Sequence, residues 1–236
     1  MKNVTLFIIL LIVVKGHSQE IDPFFNQADG FFNTYVKDGR VDYEGLHNDS
    51  SKLDAVMTLA KDISISKENA KAYQAFWINT YNIAVIKGLV DRFPIKSPLD
   101  DKGFFDKTKY QLGGKEITLN DIEHELLRAQ FHDARFHFVL VCGAVGCPPL
   151  ISNAYRPETL DEQLDAQTRA ALNGNFVKVD RKKNRVQVSQ IMEWYRDDFK
   201  KGKMDELDFI NTYRAEKIEG SFKLSYFPYD WNINKQ

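Results

Sequence analysis

The stretch AKAYQAFWINTYNIAVIKGLVDRF, Ala70 to Phe93, decides how this chain folds. It follows Asn69 and runs on to Pro94, and at helical spacing Phe76, Trp77, Ile78, Tyr81, Ile83, Ile86 and Leu89 point in nearly every direction. A helix that is apolar all round in a water-soluble chain is a central buried helix. Gln74, Asn79 and Asn82 lie inside it. A buried amide without a partner costs roughly 1–3 kcal/mol, so these side chains are expected to clamp something.

Around that helix the sequence alternates helical and hairpin signals. In Lys109 to Thr118 the pair Gly113-Gly114 supplies the positive φ values of a tight hairpin turn. In Phe176 to Asp180 and Arg185 to Ser189, apolar and polar residues alternate on either side of a polar turn, which predicts a second antiparallel hairpin. Thr118 with Asp121 forms a capping box for a helix over Leu119 to Ala129. Ser189 with Glu193 gives a weaker start for a helix over Gln190 to Phe199, and Pro157 to Leu172 and Asp205 to Tyr213 complete the helical set. Ala134 to Val141 reads as a strand and Phe222 to Phe227 as another. Helices and antiparallel hairpins mixed in this order predict an α+β domain rather than a doubly wound sheet.

At the N-terminus Lys2 precedes an apolar run from Val4 to Val14, followed by Gly16-His17-Ser18. That pattern predicts a signal peptide over residues 1–18, cut after Ser18. The run is too short for a membrane-spanning helix, which takes about 20 residues. The exported chain is then expected to be periplasmic or extracellular, one globular domain over residues 22–232, with no membrane attachment. Removing Lys2 and Lys15 leaves 30 basic residues against 33 acidic ones, mixed along the chain, so nothing points to a nucleic-acid partner.

Reactive side chains gather in one region: His124, His132 and His137 with Cys142 and Cys147, which are the two cysteines of the chain. In a strand over Ala134 to Val141, His137 would face away from Cys142, and five strand residues span roughly 16 Å. His124, on the preceding helix, is therefore the expected base. On that helix Leu119, Ile122 and Leu126 define a buried stripe that includes Glu123. Glu123 is either a catalytic acid or half of a buried brace with Arg135. The loop VCGAVGCPPL, Val141 to Leu150, combines glycines that allow close backbone approach with a stiff Pro-Pro exit. A cysteine nucleophile needs a nearby base and amide donors for an oxyanion. Cys142 or Cys147, His124, loop N–H groups and Asn79 or Gln74 are of the right types. The aromatic stretch YFPYDW, Tyr226 to Trp231, either lines a cleft or closes the core.

The runs FWINTYN (Phe76 to Asn82), DIEHELLR (Asp121 to Arg128), RFHFVLVCGAVGCPPL (Arg135 to Leu150), SQIMEWYRDDF (Ser189 to Phe199) and YDWNIN (Tyr229 to Asn234) together resemble the family called domain of unknown function 547. The resemblance implies an α+β thiol-hydrolase-like domain related to the papain and transglutaminase folds. Papain-type enzymes carry their nucleophile at the start of a central helix. Here that helix has no cysteine, and Trp77 to Asn79 is the best match to the position.

Two readings follow. In the first, a cysteine-dependent hydrolase or acyl transferase acts on a small or peptide-like ligand, with Cys142, His124, Glu123 and Asn79 as catalytic residues and Gln74, Trp77 and Cys147 contacting the substrate. In the second, a non-catalytic binding or scaffold domain carries a local Cys142–Cys147 disulfide. A zinc site is poorly supported by a lone C-x4-C pair, so no metal or cofactor is expected.

Overall fold

The computed structural model describes residues 18–200, 202 and 204–236. The predicted signal segment lies outside the described residues except for Ser18, where helix α1 (Ser18–Tyr35) begins. Two short antiparallel strands, β1 (Val36–Lys37) and β2 (Arg40–Val41), lead into α2 (Tyr43–Asn48) and α3 (Ser51–Lys61). The predicted central helix is α4 (Ala70–Val90), capped by the Asn69 side chain, which accepts the N–H of Ala72. From Ala72 to Val90 every residue except Gln74 and Lys87 is buried. Helices α2 and α3 pack on it, and Phe24 of α1 meets Phe76 with ring centroids 5.0 Å apart.

The first predicted hairpin is β3 (Lys109–Leu112) with β4 (Lys115–Thr118), Leu112 pairing with Lys115 across the turn. Gly113 and Gly114 have φ of 61° and 69°, the positive values a two-residue turn of this kind requires. Their N–H groups donate to the carbonyls of Ala60 and Lys61, so the turn satisfies groups that the C-terminal end of α3 leaves without helical partners.

The predicted capping box is present: Thr118 N–H donates to Asp121, and Asp121 N–H donates to the Thr118 hydroxyl. The helix that follows is not regular. It is a π-helix over Asp121–Arg128, with a last turn, α5 (Ala129–Phe131), in α geometry. The wider winding changes which residues face inward. Ile122, Glu123 and Leu127 are buried, while Leu126, expected in the stripe, is half-buried. Glu123 forms no brace with Arg135. Arg135 is held instead by Asp133, Asp161 and Asp165.

The segment read as a strand, Ala134 to Val141, is a 3-10 helix over Ala134–Phe138. Asp133 starts it by accepting the N–H of Arg135. No neighbouring strand pairs with it. Instead the Asn82 side chain of α4 donates to the carbonyl of Val139 at 2.9 Å and accepts the N–H of Val141 at 2.8 Å, occupying the place of a sheet partner. Asn79 does the same for Tyr155, donating to its carbonyl at 2.8 Å and accepting its N–H at 2.9 Å.

Helix α6 (Leu160–Asn173) follows a short 3-10 turn. Strands β5 (Val177–Asp180) and β6 (Arg185–Ser189) form the second predicted hairpin. The predicted helix over Gln190 to Phe199 is broken into α7 (Ile191–Trp194) and a 3-10 turn, Arg196–Phe199. After α8 (Glu206–Tyr213), strand β7 (Lys223–Phe227) joins β6 in parallel, which makes that sheet mixed rather than antiparallel. The C-terminal segment then runs beside the cysteine loop and β2: Val145, Gly146 and Val41 donate to the carbonyls of Asn232, Asp230 and Asn234. No helix among the described residues is long and apolar enough to cross a membrane.

Asn79→Ala and Asn82→Ala should each destabilise the protein by about 1–3 kcal/mol, because each leaves a buried N–H and C=O unpaired. Gln74→Ala should cost less, since its amide reaches only Ala70 within the same helix. Urea midpoints that do not move for the two asparagine variants would contradict the clamp.

Candidate functional site

A cavity of about 370 Å³ opens between α4, the π-helix, the cysteine loop, α7 and the C-terminal segment. Tyr81, Glu123, His137, Cys142, Tyr195 and Tyr229 face it, together with Phe105, Asp106, Trp194 and Trp231. Two of the residues expected to form the site, Cys142 and Glu123, line this cavity. His124, Asn79, Gln74, Trp77 and Cys147 do not. Asn79 is occupied by Tyr155, Gln74 by Ala70, and Trp77 is buried among Phe76, Tyr73 and Gly113. His124 is half-exposed, its Nδ1 facing an Arg128 nitrogen at 2.8 Å.

The larger change concerns His137. In a strand it would point away from Cys142. In the 3-10 helix both residues line one cavity. His137 is buried and stacked on Tyr195 with centroids 4.0 Å apart. Its Nε2 lies 2.7 Å from Asp198 Oδ2, and the same oxygen takes Nε of Arg128 at 2.7 Å. Burial alone would raise the Asp198 carboxyl, but the bonds from His137 and Arg128 outweigh it and hold the group far below the usual carboxylate range. An ionised carboxylate only accepts, so Nε2 carries the proton of this bond and Nδ1 is the ring nitrogen left to act as a base. The sequence signal missed here was Asp133, a good N-cap residue placed just before the apolar run. Asp198 could not be found without the break between α7 and the following turn.

Cys142 is half-buried and Cys147 buried, both as free thiols, with their sulfurs 2.7 Å apart. The hydroxyl of Tyr229 sits 2.9 Å from each sulfur. Burial pushes the Cys142 thiol well up, and its hydrogen bond to Cys147 adds to that. Burial would raise Cys147 too. There the donors converge: Cys142 S–H, the Tyr229 hydroxyl and the Cys142 N–H at 3.0 Å hold it below the ordinary thiol value. Cys142 is thus the neutral thiol that faces the cavity, and Cys147 the more acidic one behind it.

Four of the loop amides expected to serve an oxyanion are engaged elsewhere, while the Ala144 N–H is directed at the two sulfurs. The amides of Cys142, Val145, Gly146 and Cys147 donate to Cys147 Sγ, Asn232, Asp230 and Ala144. The hydroxyls of Tyr81, Tyr195 and Tyr229 also reach the cavity, Tyr81 donating to Glu123 and Tyr229 to Cys147. Burial and the nearby Glu123 carboxylate keep the first two protonated, and burial with the two cysteines does the same for Tyr229. Glu123 accepts from Tyr81 at 3.4 Å. Its Oε1 stands 3.9 Å from His124 Nδ1, too far for a hydrogen bond. No group of three or more His, Cys, Asp or Glu side chains among the described residues is arranged to hold a metal ion.

Residues 65–171 match the family model described as a protein of unknown function, DUF547. The match covers Glu123, His137 and Cys142 but stops short of Asp198, Tyr229 and Trp231, so later parts of the chain complete this cavity beyond the matched segment. No curated protein and no solved structure matches the chain.

Because the Asp198 carboxyl is depressed in the folded state, its stabilising contribution is complete above the unfolded value of about 3.9 and is lost as pH falls towards the folded value. Asp198→Asn should therefore lower the melting temperature at pH 7, and the gap to the parent protein should close as pH falls below about 4. A gap that stays constant down to about pH 2.5 would remove Asp198 from the charged cluster.

Proposed function

We propose that this protein is an exported cysteine-dependent hydrolase or acyl transferase acting on peptide-like bonds, with Cys142 as nucleophile and the His137–Asp198 pair as base. One observation carries the reading: a thiol and a carboxylate-oriented imidazole face the same small cavity. Because Cys142 is a neutral thiol, attack requires that its proton leave as the bond forms. Sγ adds to the carbonyl carbon while Nδ1 of His137 takes the thiol proton, and Asp198 stabilises the imidazolium. The Tyr229 hydroxyl, beside Sγ, turns its proton from Cys147 to the developing oxyanion. Collapse expels the leaving group with the proton from His137 and leaves a thioester. Water or another acceptor, deprotonated by the same imidazole, then releases the acyl group. His124 has no part in this scheme, and Glu123 serves binding rather than proton transfer. Export is supported by the apolar run Val4 to Val14 with small residues after it, and mass analysis of the secreted or periplasmic protein should find an N-terminus at Gln19.

A second reading, a binding domain with Cys142 and Cys147 joined, is favoured by the close approach of the two sulfurs. Iodoacetamide labelling separates the two. The native protein should label at Cys142, Cys142→Ala should remain folded and lose that label, and His137→Asn should slow it at neutral pH by about tenfold or more. Unchanged labelling of His137→Asn would overturn the proposed base. Absence of any titratable thiol in the native protein before reduction would replace the enzyme reading with the disulfide one.

A further inference from the structure

The walls of the cavity say what it can hold. Trp194 and Trp231 stack at 5.8 Å with 26° between their planes, Tyr229 packs against both, and Phe105 meets the edge of Trp231. Trp194 remains 45% exposed although it packs on two other rings. Trp194, and to a lesser degree Trp231, therefore leave part of their ring surface uncovered. The acidic side chains on the lining are Glu123 in the interior and Asp106 at the rim. Among the described residues no lysine or arginine lines the cavity. Arg128, the cation nearest in function, is already held by Asp198 and lies over the Tyr195 ring at 4.6 Å.

Aromatic faces and carboxylates attract the same kind of ligand group. A cation is drawn to the negative face of an indole or phenol ring by about 0.5–2 kcal/mol, more when water is excluded. A buried carboxylate adds a Coulomb attraction and can accept more hydrogen bonds than the Tyr81 hydroxyl provides. An anionic ligand would meet both carboxylates with no counter-ion. A purely apolar one would leave Glu123 desolvated without compensation. The volume, about 370 Å³, is at the small end for ligand sites and suits one side chain or one small molecule.

The Asp121–Arg128 π-helix supplies the independent support. Irregular winding of this kind is rare and recurs at functional sites. It carries Glu123, which is buried beside Ile122 and faces the cavity. We infer that the cavity selects substrates bearing an alkylammonium group, held between the Trp194–Trp231–Tyr229 wall and Glu123, next to the bond that Cys142 attacks. The inference rests on the enzyme reading only for the last clause, since binding of the cation does not require a nucleophile.

Choline and its neutral isostere 3,3-dimethylbutan-1-ol, titrated at constant ionic strength, provide the test. Trp194 and Trp231 report binding through tryptophan fluorescence. Choline should bind saturably, and the alcohol at least tenfold more weakly. Cys142→Ala should bind choline as the parent protein does, which separates this result from any failure of catalysis. Glu123→Gln should weaken choline at least tenfold while leaving the alcohol unchanged. Asp106→Asn, on the exposed rim where folding is not at stake, should weaken it less, in a salt-dependent way. Equal or tighter binding of the alcohol, preference for an anion such as propionate, or no saturable binding of choline would each overturn the inference.

Discussion

Two asparagine side chains on one buried helix hold the rest of this molecule in register. Asn79 and Asn82 lie three residues apart on α4, and each presents both a donor and an acceptor to a segment of backbone far away in sequence. Asn82 fixes the chain at Val139 and Val141, just before Cys142, and Asn79 fixes it at Tyr155, beyond the loop. The whole cysteine loop is therefore suspended between two amide clamps in a region where water cannot replace a lost hydrogen bond. Apolar packing around α4 makes the core, but packing is tolerant of small shifts and these bonds are not.

With the loop held on one side, the C-terminal segment closes it from the other. Its carbonyls take the N–H groups of Val145 and Gly146, and this antiparallel contact sets Tyr229 beside both sulfurs. Gly143 shows how close the approach is: with φ of 84°, a Cβ at that position would lie 2.4 Å from Leu89 of α4. The loop thus joins the buried helix to the chain terminus, and one thiol is left facing the cavity.

Irregular helices supply most of the remaining site. The π-helix holds Glu123, the 3-10 turn at Ala134–Phe138 carries His137, and the break after Trp194 lets Tyr195 and Asp198 reach His137 and Arg128. Periodicity arguments place Glu123 inward, but at the other two places they fail for a common reason. They assume 3.6 or 2 residues per repeat, whereas the site is built where the chain departs from both. The apolar run Phe136 to Val141 is buried without alternation, so its composition fits a strand and a packed turn equally well.

The sequence by itself determined the central helix and its clamping amides, both principal hairpins with the Gly113-Gly114 turn, the Thr118–Asp121 cap and the α+β class, because each rests on local periodicity, turn chemistry or the cost of burying an amide. It also singled out Cys142 and Glu123 as members of the candidate site. Tertiary structure alone decided which histidine accompanies the thiol, which carboxylate orients that histidine and which aromatic rings form the wall. Those partners are separated by tens of residues, as Asp198 is from His137 and Tyr229 from Cys142, and their meeting depends on the handedness and winding of the segments between them, which side-chain pattern does not specify.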